Sequence, residues 1–209
     1  MIHATDSKGT FYILNKKDRT PIIFIHGVGL DHSIWDLQIN EFDNTVLIYD
    51  ILGHGKTPLN KNDLSFDDFS DQIINLMDEL KFNKVHLVGF SIGSLIARNF
   101  ASRFNDRLAS LTLLCSIFNR SDKEQKIVND RFEQTKKDHK LTKEALKRWF
   151  TEDFLNKNPG ISDKIFNILQ NNNMNNFIKI YSLFVKHQDN EKFENIKTKT
   201  LVMTGEGDV

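Results

Sequence analysis

Cysteine and long apolar runs are scarce in this chain of 209 residues, and each scarcity excludes a class of protein. A single cysteine, Cys115, excludes an intramolecular disulfide and a cysteine-rich metal site. No apolar run approaches the roughly 20 residues that a membrane-spanning helix needs. The N-terminus also lacks the basic segment and apolar segment of a secretory signal. We therefore expect a cytoplasmic protein that does not bind a membrane.

The chain also has no surplus of charge of either sign. Its 28 Lys and Arg residues balance 28 Asp and Glu residues, so the formal net charge is zero. A basic surplus is the usual mark of a protein that binds nucleic acid. In the lysine-rich stretch 123–147, Lys alternates with Asp and Glu, which is typical of a solvated helix face. We expect no nucleic-acid partner.

The chain does have a regular alternation of apolar strands and amphipathic helices. The helices are predicted over 33–42, from Ser65 onward and over 92–104. Strands that are apolar throughout, separated by helices, indicate a parallel sheet covered on both faces. We therefore predict an α/β fold with a mostly parallel, doubly wound sheet. The predicted strands are 10–14, 21–25, 45–49, 85–88, 108–115 and 201–204.

Between residues 118 and 198 this alternation stops and only helices are predicted. Ser121, Thr142 and Ser162 each open a helix, residues 174–186 form a fourth, and Asn158-Pro159-Gly160 breaks the chain. An insertion of this length is too long to be a plain connection. We interpret 118–198 as a helical cap between two parts of one core, 1–117 and 199–209, and the run 171–173 as a solvated turn.

The most informative residues are Gly89 to Gly93, which read Gly-Phe-Ser-Ile-Gly between a predicted strand and a predicted helix. A serine between two glycines at such a turn is the nucleophile-elbow pattern. The turn leaves no room for larger neighbours, so glycine is needed on both sides. The Ser91 hydroxyl would then stand at a helix N-terminus, where free backbone N–H groups stabilise negative charge.

Four motifs in this order resemble the α/β-hydrolase family, in its capped, small-molecule branch. They are His26 to Gly29, residues 50–57, the elbow at Gly89 to Gly93, and residues 201–208. The resemblance implies a nucleophile, an acid and a histidine in that chain order. It assigns the nucleophile to Ser91, the acid to Asp208, the oxyanion-hole N–H groups to Val28 and Ile92, and a loop-shaping role to His26, Gly27, Gly29, Gly89 and Gly93.

The resemblance also implies a catalytic histidine after the acid, and the chain has none there. Its seven histidines, at 3, 26, 32, 54, 86, 139 and 187, all precede Asp208. The family's last strand and helix are also absent, so we expect a fragment with an exposed apolar sheet edge and little activity alone. Of the other histidines, we expect His26 and His54 to shape loops, His86 to be a core residue, and His139 and His187 to be solvated.

The resemblance implies a serine hydrolase that cleaves ester or lactone bonds of a small-molecule substrate through an acyl-enzyme on Ser91. Within that family the chain is similar to carboxylesterases and 3-oxoadipate enol-lactonases. Three alternatives remain open: a non-catalytic ligand-binding protein, a carbon–carbon bond hydrolase and an acyltransferase. No metal is expected, because no element carries His, Asp and Glu at ligand spacing. No cofactor is expected either, because Gly27-Val28-Gly29 lacks the third glycine of a dinucleotide site.

Overall fold

The core of the protein is a seven-stranded sheet. A computed structural model describes residues 1–139, 144–189 and 192–207 of the chain. The strands are β1 (Ile2–Thr5), β2 (Phe11–Asn15), β3 (Arg19–Ile25), β4 (Asn44–Tyr49), β5 (Val85–Phe90), β6 (Leu108–Leu114) and β7 (Thr200–Met203). Their order is β1-β2-β4-β3-β5-β6-β7, with β1 and β2 antiparallel to their neighbours and the other pairs parallel. The predicted mostly parallel sheet is confirmed, and β1 is an addition to the prediction.

Apolar side chains on the central strands alternate between two buried clusters, one on each face of the sheet. Ile23 and Leu47 belong to the cluster that includes two core helices, α1 (Phe66–Glu79) and α2 (Ile92–Arg103). Ile22 and Val46, one residue earlier on each strand, belong to the opposite cluster. Burial on both faces is the reason these strands read as continuous apolar runs.

The predicted helix over 33–42 is wrong. Only a short 3-10 helix forms, His32–Trp35, and the chain then continues in turns. The Asp31 carboxylate accepts hydrogen bonds from the N–H group and the hydroxyl of Ser33, at 2.9 and 2.6 Å. Such a local side-chain bond favours a tight turn over a longer α-helix.

The helical insertion, residues 118–198, contains five α-helices in the part that the structure describes. They are α3 (Asp122–Asp138), α4 (Glu144–Trp149), α5 (Glu152–Lys157), α6 (Pro159–Gln170) and α7 (Met174–Lys186). The Ser121–Glu124 capping box and the α7 bounds agree with the sequence prediction, whereas Thr142 lies outside the described residues. The predicted break at Asn158-Pro159-Gly160 coincides with the junction of two helices, since α5 ends at Lys157 and α6 begins at Pro159. The predicted helix start at Ser162 is wrong, because Pro159 occupies the first position of α6, where its missing N–H costs nothing.

Arg98 of α2 contacts the chain near both ends of the insertion, and its side chain is only 3% exposed. The Arg98 guanidinium donates to the Ile117 carbonyl and to the Asp189 carboxylate, each at 2.6 Å. The same carboxylate accepts the Asn119 N–H at 2.7 Å. The expectation that His187 is solvated is wrong: its side chain is 3% exposed and lies 3.4 Å from the Asp189 carboxylate.

Strand β7 exposes its apolar side chains at one end of the sheet. Leu201, Val202 and Met203 are 55%, 63% and 50% exposed, which confirms the predicted exposed apolar edge. Asp208 and Val209 lie outside the described residues. In the described part of the chain, every helix is too short or too polar to cross a membrane.

Candidate active site

Ser91 has an unusual backbone conformation at the turn between β5 and α2. Its φ and ψ angles are 56° and −121°, outside the regions that residues with a side chain ordinarily occupy. The Ser91 N–H donates to the Leu114 carbonyl at 3.0 Å. The Ser91 carbonyl accepts from the N–H and hydroxyl of Ser94, at 2.9 and 2.5 Å. Backbone strain of this kind costs on the order of 1–3 kcal/mol and persists only where the surroundings enforce it.

Gly89 and Gly93 enforce this turn because backbone occupies the space beside both of them. A Cβ on Gly89 would overlap the Gly93 carbonyl. A Cβ on Gly93 would lie 2.7 Å from the carbonyl oxygens of both Ile25 and His26. The first turn of α2 therefore lies directly against the end of β3 and the loop that follows it.

That loop, residues 26–30, is here called the oxyanion loop. His26 is fully buried; its Nδ1 bonds to the Gly27 carbonyl at 2.8 Å and its Nε2 accepts the Ile51 N–H at 3.1 Å. Gly29 has a φ of +76°, and its N–H donates to Nε2 of His54 at 2.8 Å. Two buried histidines thus hold the loop against the segment that follows β4.

Both histidines must be neutral to accept these hydrogen bonds, and burial keeps them neutral. Burial lowers the pKa of His54 from its ordinary 6.5 to about 3, with a further lowering from the nearby His26. Burial also lowers the pKa of His26, against the opposing pull of Asp50. Each ring therefore has an unprotonated Nε2 at neutral pH.

Asp50 ties down the segment after β4 through three hydrogen bonds. One carboxylate oxygen accepts the His32 N–H at 2.8 Å and the His32 ring Nδ1–H at 2.7 Å. The other accepts the Lys56 N–H at 2.8 Å. Burial raises the Asp50 pKa, but the hydrogen bonds from His32 and Lys56 outweigh burial and hold the pKa below its usual range.

Asp31, His32 and Asp50 are the described residues whose possible metal-ligand atoms cluster, within 4.8 Å of one another. Their polar atoms are already engaged, because Asp50 accepts from His32 and Lys56 while Asp31 accepts from Ser33. His32 and Asp50 form a salt bridge rather than an open ligand set. The prediction that the chain holds no metal is not tested by this arrangement.

The N–H groups of Val28 and Ile92 stand on the two sides of this junction. Val28 lies inside the oxyanion loop, and Ile92 is the first residue of α2. Within the described residues, neither N–H donates to an acceptor. The resemblance to the α/β-hydrolase family implies that these two groups form the oxyanion hole, and their roles remain a prediction.

The histidines of the core are committed to partners other than Ser91. Both ring nitrogens of His26 and His54 lie within hydrogen-bond distance of backbone groups. Nδ1 of His86 bonds to the Ser110 hydroxyl at 2.8 Å. None of these three bonding patterns directs a ring nitrogen at Ser91, and Asp208, the predicted acid, lies outside the described residues.

The helical insertion covers the oxyanion loop. A Cβ on Gly29 would lie 2.9 Å from the Phe177 ring and 3.2 Å from the Leu169 side chain. The amide Nδ2 of Asn172 donates to the Gly29 carbonyl at 2.7 Å. The interpretation of 171–173 as a plain solvated turn is therefore wrong for Asn172, which is half-buried against the core.

Beside Ser91 the insertion contributes an apolar cluster. Leu30 of the oxyanion loop packs with Leu146 and Leu169, and Phe90 lies against the same cluster. Two cavities, of about 240 and 200 Å³, open farther along the seam; both are lined by Lys56 and Asn172, and neither by Ser91. Ser91 itself is half-buried, next in the chain to the Phe90 side chain that lies against this apolar cluster.

The family of the chain follows from this fold and from a family model. A model of the alpha/beta hydrolase fold matches residues 20–208, and the chain belongs to that family. It is 28% identical over 203 residues to (E)-2-((N-methylformamido)methylene)succinate hydrolase of Acinetobacter baylyi, a match that covers 95% of this chain and 76% of that protein.

Enol-lactonases are similar to this chain in both sequence and structure. 3-Oxoadipate enol-lactonase 1 of Acinetobacter baylyi is 24% identical over 213 residues, covering 100% of this chain and 79% of that protein. The crystal structure of the enol-lactonase from Burkholderia xenovorans matches with a TM-score of 0.82 at 23% identity, over 98% of this chain and 81% of that chain. At this identity the structural match shows the fold alone.

Proposed function

We propose that this protein is a serine hydrolase that cleaves an ester or lactone bond of a small molecule through an acyl-enzyme on Ser91. The observation that carries the proposal is the strained Ser91 backbone, enforced by Gly89 and Gly93 at the start of α2. Strain of this kind concentrates at functional sites. The hydrolases and enol-lactonases among the relatives support the same chemistry.

The reaction proceeds in two halves. The Ser91 oxygen attacks the carbonyl carbon while a base takes the hydroxyl proton, and the new oxyanion accepts from the N–H groups of Val28 and Ile92. The intermediate collapses, the alcohol oxygen leaves with the proton, and the acyl group remains on Ser91. A water molecule then attacks the acyl carbon while the base takes a proton from the water. The second intermediate collapses, the Ser91 oxygen regains the proton, and the carboxylic acid is released.

Asp208 is the proposed acid. The family resemblance places the histidine that it would orient after Asp208, whereas the seven histidines of this chain all precede it. Since the ring nitrogens of His26 and His54 are occupied, neither can take the Ser91 proton without releasing the oxyanion loop. The helical insertion acts as the cap in this proposal. The apolar cluster that Leu146 and Leu169 of the insertion form with Leu30 favours an acyl group that is apolar or weakly polar.

Covalent labelling tests the proposal. A fluorophosphonate probe should add one adduct to the wild-type chain, seen by intact mass, and none to Ser91→Ala. Ser102→Ala is the matched control, because Ser102 lies on the same helix and its hydroxyl donates to the Asn99 carbonyl. Labelling of that variant should equal wild type.

Labelling in the presence of added imidazole distinguishes a chain that lacks a base from a chain that lacks a nucleophile. If the base is what limits the reaction, imidazole should accelerate labelling of the wild type and leave Ser91→Ala unlabelled. A wild-type chain that stays unlabelled even with imidazole would contradict the proposal and favour a protein that only binds a ligand.

A further inference from the structure

Asn172 makes the one polar contact, among the described residues, between the helical insertion and the backbone of the oxyanion loop. Its amide Nδ2 donates to the Gly29 carbonyl at 2.7 Å and to the carbonyls of Ile168 and Leu169 at 3.1 and 3.2 Å. Three carbonyl acceptors around one atom fix the orientation of the amide, because only its NH₂ end can donate to all of them. The two longer bonds end α6, and the shortest one reaches into the core.

Gly29 is therefore held from two sides by different elements. Its N–H donates to neutral His54 in the core at 2.8 Å, and its carbonyl accepts from Asn172 in the insertion. The peptide that joins Val28 to Gly29 cannot rotate without breaking the first bond, and the peptide that follows Gly29 cannot rotate without breaking the second. The Val28 N–H is one peptide away from this doubly held residue.

The apolar contacts at the same place prevent the loop from moving toward the insertion. Phe177 and Leu169 occupy the space beside Gly29 so closely that a Cβ would lie 2.9 and 3.2 Å from them. Gly29 also has a φ of +76°, a conformation that glycine alone adopts freely. Side-chain packing and the Asn172 bond thus set one position of the loop together.

We propose that Asn172 is a positioning residue: it fixes the direction of the Val28 N–H by holding the Gly29 carbonyl, and so couples the insertion to the oxyanion hole. The catalytic consequence rests on the proposed function, whereas the structural coupling does not. Loss of one oxyanion donor costs about 10²–10³ in rate, so a displaced donor should cost less, about tenfold. The substrate's ground-state binding should change little, because this donor acts mainly on the oxyanion.

The test uses two substitutions of Asn172 and two matched controls. Asn172→Asp keeps the size of the side chain but replaces the donor with a carboxylate, and Asn172→Ala removes it. Asn175→Ala changes an exposed asparagine on α7. Asn158→Ala removes the bond from Asn158 to the Phe154 carbonyl, so it perturbs the junction of α5 and α6 without touching Gly29.

The first measurement is amide hydrogen exchange at Val28 and Gly29 by NMR, which needs no activity. Exchange at Gly29 should be about tenfold faster in both Asn172 variants and unchanged in the two controls. Unchanged exchange at Gly29 in Asn172→Asp would overturn the proposal. Equal acceleration in Asn158→Ala would also overturn it, because the effect would then be a general loosening of α6.

The second measurement is fluorophosphonate inactivation of Ser91, separated into a binding constant and a maximal rate. Both Asn172 variants should lower the maximal rate about tenfold and change the binding constant less than about twofold. Faster exchange with an unchanged maximal rate would overturn the positioning role. A wild type that never labels, but whose Gly29 exchange depends on Asn172, would contradict the proposed function while supporting the coupling.

Discussion

The elbow at Ser91 and the oxyanion loop lie against each other, yet they are held by opposite means. At the elbow, backbone meets backbone: the space beside Gly89 is filled by the Gly93 carbonyl, and the space beside Gly93 by the carbonyls of Ile25 and His26. At the oxyanion loop, side chains meet backbone, since Phe177 and Leu169 surround Gly29. Side chains can change rotamer, whereas packed backbone cannot move without moving its strand or helix.

The two elements also differ in how visible they are in the sequence. The elbow has its signature in five consecutive residues, although the backbone packed around them comes from Ile25, His26 and Leu114. The oxyanion loop takes its shape from His54, which is 25 residues away, and from Asn172, which is 143 residues away. Ser91 is therefore held by packed backbone of the core, while the shape of the neighbouring loop also depends on side chains of the helical insertion.

The largest effect on stability should come from adding a Cβ at Gly89 and at Gly29. Gly89→Ala should lower the free energy of unfolding by about 3 kcal/mol or more, because its Cβ meets immobile backbone. Gly29→Ala should cost less, about 1–3 kcal/mol, because the cost is mainly its positive φ. Urea unfolding of both variants measures the difference.

Gly160→Ala is the control for those two substitutions. Gly160 lies in α6 with nothing within 4 Å of the place where a Cβ would stand. Its stability should stay equal or rise by up to about 1 kcal/mol, because alanine favours a helix. Equal losses in Gly89→Ala and Gly29→Ala would refute the contrast between backbone and side-chain support.

Acid should weaken the oxyanion loop through His54. Its pKa is about 3 in the folded protein and 6.5 ordinarily, so between these values the unfolded chain binds the additional proton. The free energy of unfolding should therefore fall as pH falls from 6.5 toward 3, and the contribution of His54 is fully present above 6.5.

His54→Gln removes this titration while leaving an acceptor for the Gly29 N–H. Between pH 4 and 6, its unfolding should take up about one proton fewer than the wild type, a difference of about 1.4 kcal/mol per pH unit. Urea midpoints across that pH range measure this slope. Parallel slopes for the two proteins would mean that His54 is not the group that titrates.

A smaller effect is expected from relieving the strain at Ser91. Ser91→Gly should be about 1 kcal/mol more stable than Ser91→Ala, because glycine adopts a φ of 56° and ψ of −121° without a Cβ penalty. Both variants lack the hydroxyl, so thermal unfolding of the pair isolates the backbone term. A Ser91→Ala protein as stable as Ser91→Gly would indicate that the turn relaxes and is not enforced.

The smallest effect should come from the outer contact between insertion and core. The Lys164 ammonium donates to the Ser33 carbonyl at 2.7 Å and to the Asp36 carboxylate at 2.8 Å, with both side chains largely exposed. Lys164→Ala should change the free energy of unfolding by about 0.5 kcal/mol at most, since exposed ion pairs contribute little. Amide exchange at Gly29 should not change; if it does, the loop is held by the outer contact as well as by Asn172.

The sequence was sufficient to predict structure where that structure depends on neighbouring residues in the chain. The elbow glycines, the capping boxes at Ser65 and Ser121 and the bounds of α7 all follow from local patterns. It was insufficient where a residue acts at a distance: nothing in the run 171–173 indicates that Asn172 reaches Gly29, or that His187 is buried beside Asp189. The start of α6 was predicted at Ser162 rather than at Pro159, because proline marks both breaks and helix starts.

The contact between Gly29 and the insertion has a consequence for engineering. Under the proposed function, Phe177 and Leu169 of the insertion are positions to vary when a new substrate is sought, but the same side chains lie directly against Gly29 of the oxyanion loop. A library at these positions would change acceptance of the substrate and turnover together, and selection for one would often reduce the other. Phe150 and Phe166 border the same apolar cluster and are not among the side chains nearest to Gly29, so variants at these positions are the comparison that would separate the two effects.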